Sequence, residues 1–127
     1  VMPEVYRNTD IGLFPNRCEG GTNLVMMEYM ACGRPVIASN LTGQKDVLNQ
    51  EYAFLIPKKR DINIQQNNQL IAKWEDPDLD EIIEKLDWTY HNRDIIKDMG
   101  TKGAEAMLKF TWKESALAFY NIIKEAL

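Results

Sequence analysis

Glu19 and Glu28 are two carboxylates nine residues apart, separated by Gly20-Gly21-Thr22-Asn23 and the start of an apolar run, Leu24 to Cys32. A carboxylate only accepts hydrogen bonds, and one such group can take them from two vicinal hydroxyls at once. Gly20 and Gly21 let the chain approach a ligand closely and permit positive φ. A helix that starts near Asn23 aims unpaired N–H groups and the positive end of its dipole at this loop, a setting that holds phosphate without a side-chain cation. On this reading Glu28, in the second turn, holds the diol of a ribose. Glu19, in the loop, holds the hydroxyls of a sugar, with a diphosphate between the two. That is the chemistry of a nucleotide-sugar site. The glycine turn alone is a weak signal, because many turns between strand and helix carry glycine for packing; its pairing with Glu28 strengthens it. The run around Glu28 is apolar on nearly every side, which predicts cover on both faces. A carboxylate there needs hydrogen-bond donors. A neighbouring backbone or an arginine is the alternative to a ligand.

The elements that must position these groups follow from the pattern. Pro3 to Asn8 predicts a short helix with proline in its first turn, and Ile11 to Phe14 a brief strand stopped by Pro15. The helix from about Asn23 to Cys32 has Thr22 or Asn23 as N-cap and Gly33 as its stop, with Arg34-Pro35 behind. Pro35 to Ser39 and Tyr52 to Ile56 read as buried strands, with a turn or short helix over Asn40 to Gln50 between them. Strand, helix, strand, turn, strand predicts a parallel sheet at whose carboxyl edge a nucleotide ligand belongs. The fold class is α/β: a partial Rossmann-like sheet of about three strands with crossover helices, followed by C-terminal helices.

Lys58 to Gln69, rich in Asn and Gln, reads as a surface loop, and Lys58-Lys59-Arg60 as a solvated turn. Asp78 and Glu81 form a cap-like pair opening a helix with Leu79, Ile82, Ile83, Leu86 and Tyr90 on one face. A further helix runs from about Asp94 to Lys109; Gly100 and Gly103 weaken it by roughly 1 kcal/mol each relative to alanine, which suggests close packing there. Thr111-Trp112-Lys113-Glu114 is a capping box for the last helix. Its stripe of Trp112, Ala116, Phe119, Tyr120, Ile123 and Leu127 predicts one buried face, part of it an interface.

Composition bounds the rest. The 127 residues fit one small domain, and a net charge of −4 argues against a nucleic-acid partner. Cys18 and Cys32 are too few for a disulfide framework and sit among the apolar or small neighbours of buried thiols. A single histidine, His91, offers no metal cluster and is expected to face solvent. Trp74 and Trp88 read as packing anchors. No stretch approaches the ~20 apolar residues needed to span a bilayer, and Val1-Met2-Pro3-Glu4 lacks the regions of a signal peptide. A cytoplasmic location is the expectation, with membrane association open for a longer enzyme.

The segment Asn16-Arg17-Cys18-Glu19-Gly20-Gly21-Thr22-Asn23-Leu24-Val25-Met26-Met27-Glu28-Tyr29-Met30-Ala31-Cys32-Gly33-Arg34-Pro35-Val36-Ile37-Ala38-Ser39 resembles the donor-site signature of retaining GT-B glycosyltransferases of the "group 1" type. Asp10 to Pro15 resembles the strand before that signature. Thr42-Gly43 with Asp46-Val47 resembles the following turn, and Met99-Gly100 and Phe110-Thr111-Trp112 the closing helices. The resemblance implies that Glu19, the catalytic candidate, contacts the transferred sugar. It likewise implies that Gly21, Thr22, Asn23 and Leu24, with Gly20, cradle sugar and diphosphate, and that Glu28 binds the ribose. The spacing of the two glutamates is one residue longer than is usual in that family, and Tyr29 stands where alanine is commoner.

The resemblance also implies a C-terminal donor-binding domain over residues 1–127, truncated at its N-terminal side. The strands carrying an Arg and a Lys for the leaving diphosphate, and the N-terminal acceptor domain, would lie elsewhere; Arg17 and Arg34 do not match those cations. The expected partners are a nucleoside-diphosphate sugar as substrate and that acceptor domain, with self-association through uncovered apolar faces. No cofactor and no metal are expected, and the fragment alone is expected to be inactive. Two other readings compete: a glycosidase with Glu19 and Glu28 as acid and base, and a noncatalytic Rossmann-like nucleotide-binding or interaction module in which Asp10 is a phosphoacceptor candidate.

Overall fold

Val36–Ser39 is buried at every position and forms the middle of the structure. In the computed structural model, which describes residues 2–57 and 59–126, this strand (β2) lies between β1 (Gly12–Phe14) and β3 (Phe54–Ile56). Both pairings are parallel, with Leu13 opposite Ile37 and Ala38 opposite Leu55. The fold is α/β with a three-strand parallel sheet and five helices, as the sequence predicts. Val1, Lys58 and Leu127 lie outside the described residues, and with them part of the basic triplet and the end of the final stripe.

Alternation along β2 divides the core in two, as a sheet covered on both faces requires. Val36 and Ala38 join Met26, Tyr29 and Met30 of α2 (Leu24–Ala31), Tyr6 of α1 (Met2–Arg7) and Met107 of α4 (Arg93–Met107). Ile37 points the other way, to Ile56 and to Ile82 of α3 (Leu79–His91).

The glycines expected at a close contact are there. A Cβ on Gly100 would stand 2.4 Å from the Gly33 carbonyl oxygen, so α4 crosses the end of α2 backbone to backbone. Gly103 faces Met30 and the Tyr52 carbonyl at ordinary contact distance. Asp78 caps α3 by accepting from the Glu81 N–H at 2.9 Å. On that helix Ile82 is buried, whereas Leu79, Ile83 and Tyr90 are exposed.

Three expectations change. Residues 59–69, expected as loop, are not one: β4 (Lys59–Gln66) and β5 (Gln69–Pro77) form an antiparallel hairpin, a sheet of its own. Asn67 and Asn68, with φ of 50° and 60°, make its tip, as left-handed asparagines do in tight hairpin turns. The last helix, α5 (Trp112–Ala126), is capped by Thr111, which accepts from the Glu114 N–H at 3.2 Å, but it has no buried residue among those described. Trp112 is 94% exposed. Cys18 is exposed rather than buried, and Cys32 is half-buried.

Candidate functional site

Asn23 caps α2 from the left-handed region, at φ 60°, its side chain accepting from the Met26 N–H at 3.2 Å. Of the two cap candidates it is therefore Asn23 that serves. The cap satisfies the third turn residue, while the N–H groups of Leu24 and Val25 precede the helical ladder and point out of the helix start. The loop from Pro15 to Thr22 leaves the carboxyl end of β1 and delivers Gly20 and Gly21 to this helix start. A Cβ at either glycine would meet nothing within 4 Å, so the backbone there is open to a ligand. Neither uses the positive φ that glycine permits; the left-handed turn is made by Asn23 instead.

Side-chain hydrogen bonds fix the loop. Asn16 donates to Glu19 Oε2 at 3.1 Å, and Asn23 Nδ2 donates back to Asn16 Oδ1 at 3.4 Å. The Glu19 N–H donates to Thr42 Oγ1 at 2.9 Å. Thr42 opens the short 3-10 helix Thr42–Asp46 after β2 with φ 43°, a strained value for a β-branched residue. Gly43 then lies so near the loop that a Cβ on it would fall 1.8 Å from the Gly21 carbonyl oxygen.

Gln44 is the residue that sequence reasoning missed. Fully buried, it accepts from Asn23 Nδ2 at 3.4 Å and donates to the Ser39 carbonyl at 3.2 Å and the Phe14 carbonyl at 3.5 Å. One amide thus ties the ends of β1 and β2 to the cap of α2. The signal for it was a lone glutamine among turn residues, which composition does not distinguish from a solvated one.

Glu28 stands on α2 away from the core. Met26, Tyr29 and Met30 are buried, but Leu24, Val25 and Glu28 face solvent. The expectation of cover on both faces is corrected: the run is apolar, yet only one side of it packs. No cation among the described residues lies within ion-pair range of Glu28. Its one hydrogen bond there comes from the Tyr6 hydroxyl to Oε2 at 3.2 Å. Burial, then this bond, pushes the Tyr6 pKa up. The tyrosine at position 29 is accommodated by glycine at 12: a Cβ on Gly12 would sit 2.8 Å from the Tyr29 ring. Tyr29 also packs edge-on against Tyr6 and Phe14, with ring centroids 5.4 and 5.9 Å away.

The structure therefore brings Glu19, Gly20, Gly21, Thr22, Asn23 and Leu24 to one edge of the sheet, with Glu28 one turn further along the same helix. Arg34 is at the opposite edge, before β2, where its guanidinium donates to the Arg7 carbonyl. His91 is exposed, its Nδ1 2.9 Å from the Asp87 carbonyl oxygen. Trp88 packs on Phe54, with centroids 5.5 Å apart, and Trp74 is a hairpin residue opposite Ile62. No group of three or more His, Cys, Asp or Glu placed to hold a metal is present among the described residues. No described helix is long and apolar enough to cross a membrane.

The described residues thus form a partial Rossmann-like α/β fold, with an open glycine loop and a helix start at the carboxyl edge of its parallel sheet. The family model for glycosyl transferases group 1 matches residues 1–73, and the chain belongs to that family. It is also 29% identical over 111 residues to an uncharacterized glycosyltransferase of Methanocaldococcus jannaschii, an alignment covering 87% of this chain and 26% of the relative. The chain thus spans about a quarter of that relative's length.

Proposed function

We propose that residues 1–127 are the donor-binding part of a retaining glycosyltransferase of GT-B type, which moves a sugar from a nucleoside diphosphate to an acceptor hydroxyl. The observation that carries this reading is the open backbone of Gly20 and Gly21 at the start of α2, with Glu19 on one side and Glu28 on the other. The Leu24 and Val25 N–H groups and the helix dipole stabilise the diphosphate as negative charge develops on it. Glu28, with one oxygen held by Tyr6, has the other to accept from a ribose diol. Glu19, steadied by Asn16 and Thr42, faces the sugar, which departs through an oxocarbenium-like transition state. The acceptor and the cations that neutralise the leaving group are assigned to chain outside these residues, so the isolated fragment is inactive. Family membership supports a nucleotide-sugar donor in general terms.

Titration calorimetry of the full chain, in its longest natural form, with UDP, GDP and ADP and their glucose or mannose conjugates tests the reading. One nucleotide binds, and Glu28→Gln weakens it about tenfold, the scale of one charge-assisted hydrogen bond. An amide variant that binds every nucleotide as the parent does overturns the ribose role.

A further inference from the structure

Asp76 belongs to the hairpin, yet it is bound to the site loop. Only 8% exposed, it offers its two oxygens to two different arginines. Oδ2 takes Arg60 Nε and Nη2 at 2.9 and 2.6 Å, and Arg60 is its cross-strand partner, so the hairpin ladder itself sets the carboxylate. Oδ1 takes Arg17 Nε at 2.5 Å, across 59 positions of sequence. Charge-assisted bonds of this kind are short and directional. β4 and β5 pair only with each other among the described residues, and this ion pair links the hairpin to the loop.

The link leads to Glu19. Arg17 is adjacent to Asn16, whose amide donates to Glu19 Oε2 and accepts from the cap residue Asn23. A cavity of about 520 Å³ lined by Pro15, Arg17, Arg60, Asp76 and Leu79 lies alongside, leaving the loop unpacked on that flank. The Arg17 side chain is 57% exposed, and its one side-chain hydrogen bond among the described residues is to this carboxylate. We propose that Asp76 is a positioning residue for Glu19: through Arg17 it sets the loop, and the hairpin is part of the donor site. This rests on the sugar-facing role of Glu19 given above. Asp76 itself touches no ligand.

Calorimetry of the full chain with the same nucleotides and nucleotide-sugars separates this proposal from the reading beneath it. In the parent protein the sugar conjugate binds more tightly than its bare nucleoside diphosphate. Arg17→Gln leaves Asp76 its Arg60 partner, so the fold is undisturbed. In that variant the bare diphosphate binds as before, while the advantage of the sugar conjugate falls about tenfold. Asp76→Asn does the same, and Arg17→Lys restores part of the advantage. Lys59→Met, which breaks a separate ion pair of the hairpin, with Glu75, changes neither affinity. Three results overturn the proposal: an unchanged sugar advantage in Arg17→Gln, an equal loss for diphosphate and sugar conjugate, or a matching loss in Lys59→Met. If the parent protein binds no nucleotide at all, the donor-site reading is itself wrong and this proposal falls with it.

Discussion

The Tyr6 hydroxyl donates to Glu28 Oε2 at 3.2 Å, joining the helix before the sheet to the helix that starts at the glycine loop. The bond uses one carboxylate oxygen and fixes the direction of the other. Tyr6 is thereby a support for the group assigned to the ribose, although it stands 22 residues away in sequence.

That pairing has a pH signature. Tyr6, Tyr29 and Tyr52 all have pKa values raised, chiefly by burial, and in Tyr6 also by the neighbouring Glu28. Above the unfolded value of about 10 the unfolded chain loses these protons while the folded chain keeps them. Stability is thus at its full value below about pH 10 and falls as pH rises through the raised values. Thermal melts from pH 8 to 11 show the fall, and Tyr6→Phe reduces its steepness. Melts with identical pH profiles for both proteins refute the coupling.

Gln44 holds three elements with one amide. Gln44→Met keeps the volume but leaves Asn23 Nδ2 and two strand-end carbonyls short of a buried partner. A loss of roughly 1–3 kcal/mol is expected, the cost of an unsatisfied buried polar group. Urea denaturation measures it, and a change below the error of the fit shows that the network is unimportant.

Gly43→Ala drives a methyl group into the Gly21 carbonyl, and main chain does not yield as a flexible side chain does. Overpacking of this kind costs about 1–3 kcal/mol, and it displaces the loop from the ligand side. Nucleotide affinity drops together with stability. Gly20→Ala, with open space at its Cβ and no positive φ, leaves stability unchanged. Equal stability effects from the two substitutions contradict this geometry.

The exposed stripe of α5 is the remaining prediction. Phe119, Tyr120 and Ile123 are all more than half exposed on a 15-residue helix, a length at which an uncovered helix is marginal in water. Sedimentation of the 127-residue chain shows concentration-dependent association, and Phe119→Glu shifts it toward monomer. A parent chain that stays monomeric at high concentration rules this out.

The three parallel strands, the Asn23 and Asp78 caps and the close approach at Gly100 were legible because each rests on a local rule: β-branched runs, capping chemistry, absence of a side chain. The hairpin was not. Ile62 and Ile64 are separated by amides and charges, and the apolar run on the second strand, Leu70-Ile71-Ala72, is only three residues long. Asn67-Asn68 is a turn signal, but it lies within a polar stretch that reads as loop throughout. Glu28 was placed on the right helix but in the wrong environment. Apolar residues count the same in sequence whether or not anything packs on them, and Leu24 and Val25 remain in solvent. Gln44 depended on contacts among three separate segments, which no local pattern encodes.

The meeting of Gly21 and Gly43 has a consequence for how such a site changes over time. Where two turns touch through bare peptide groups, the width of the opening is dictated by the chain's own dimensions. Exchanging a rim side chain that makes none of the loop's hydrogen bonds, such as Thr22, changes the surface offered to a ligand without altering the frame. New preferences among ligands are therefore reachable here by single replacements that leave the architecture untouched.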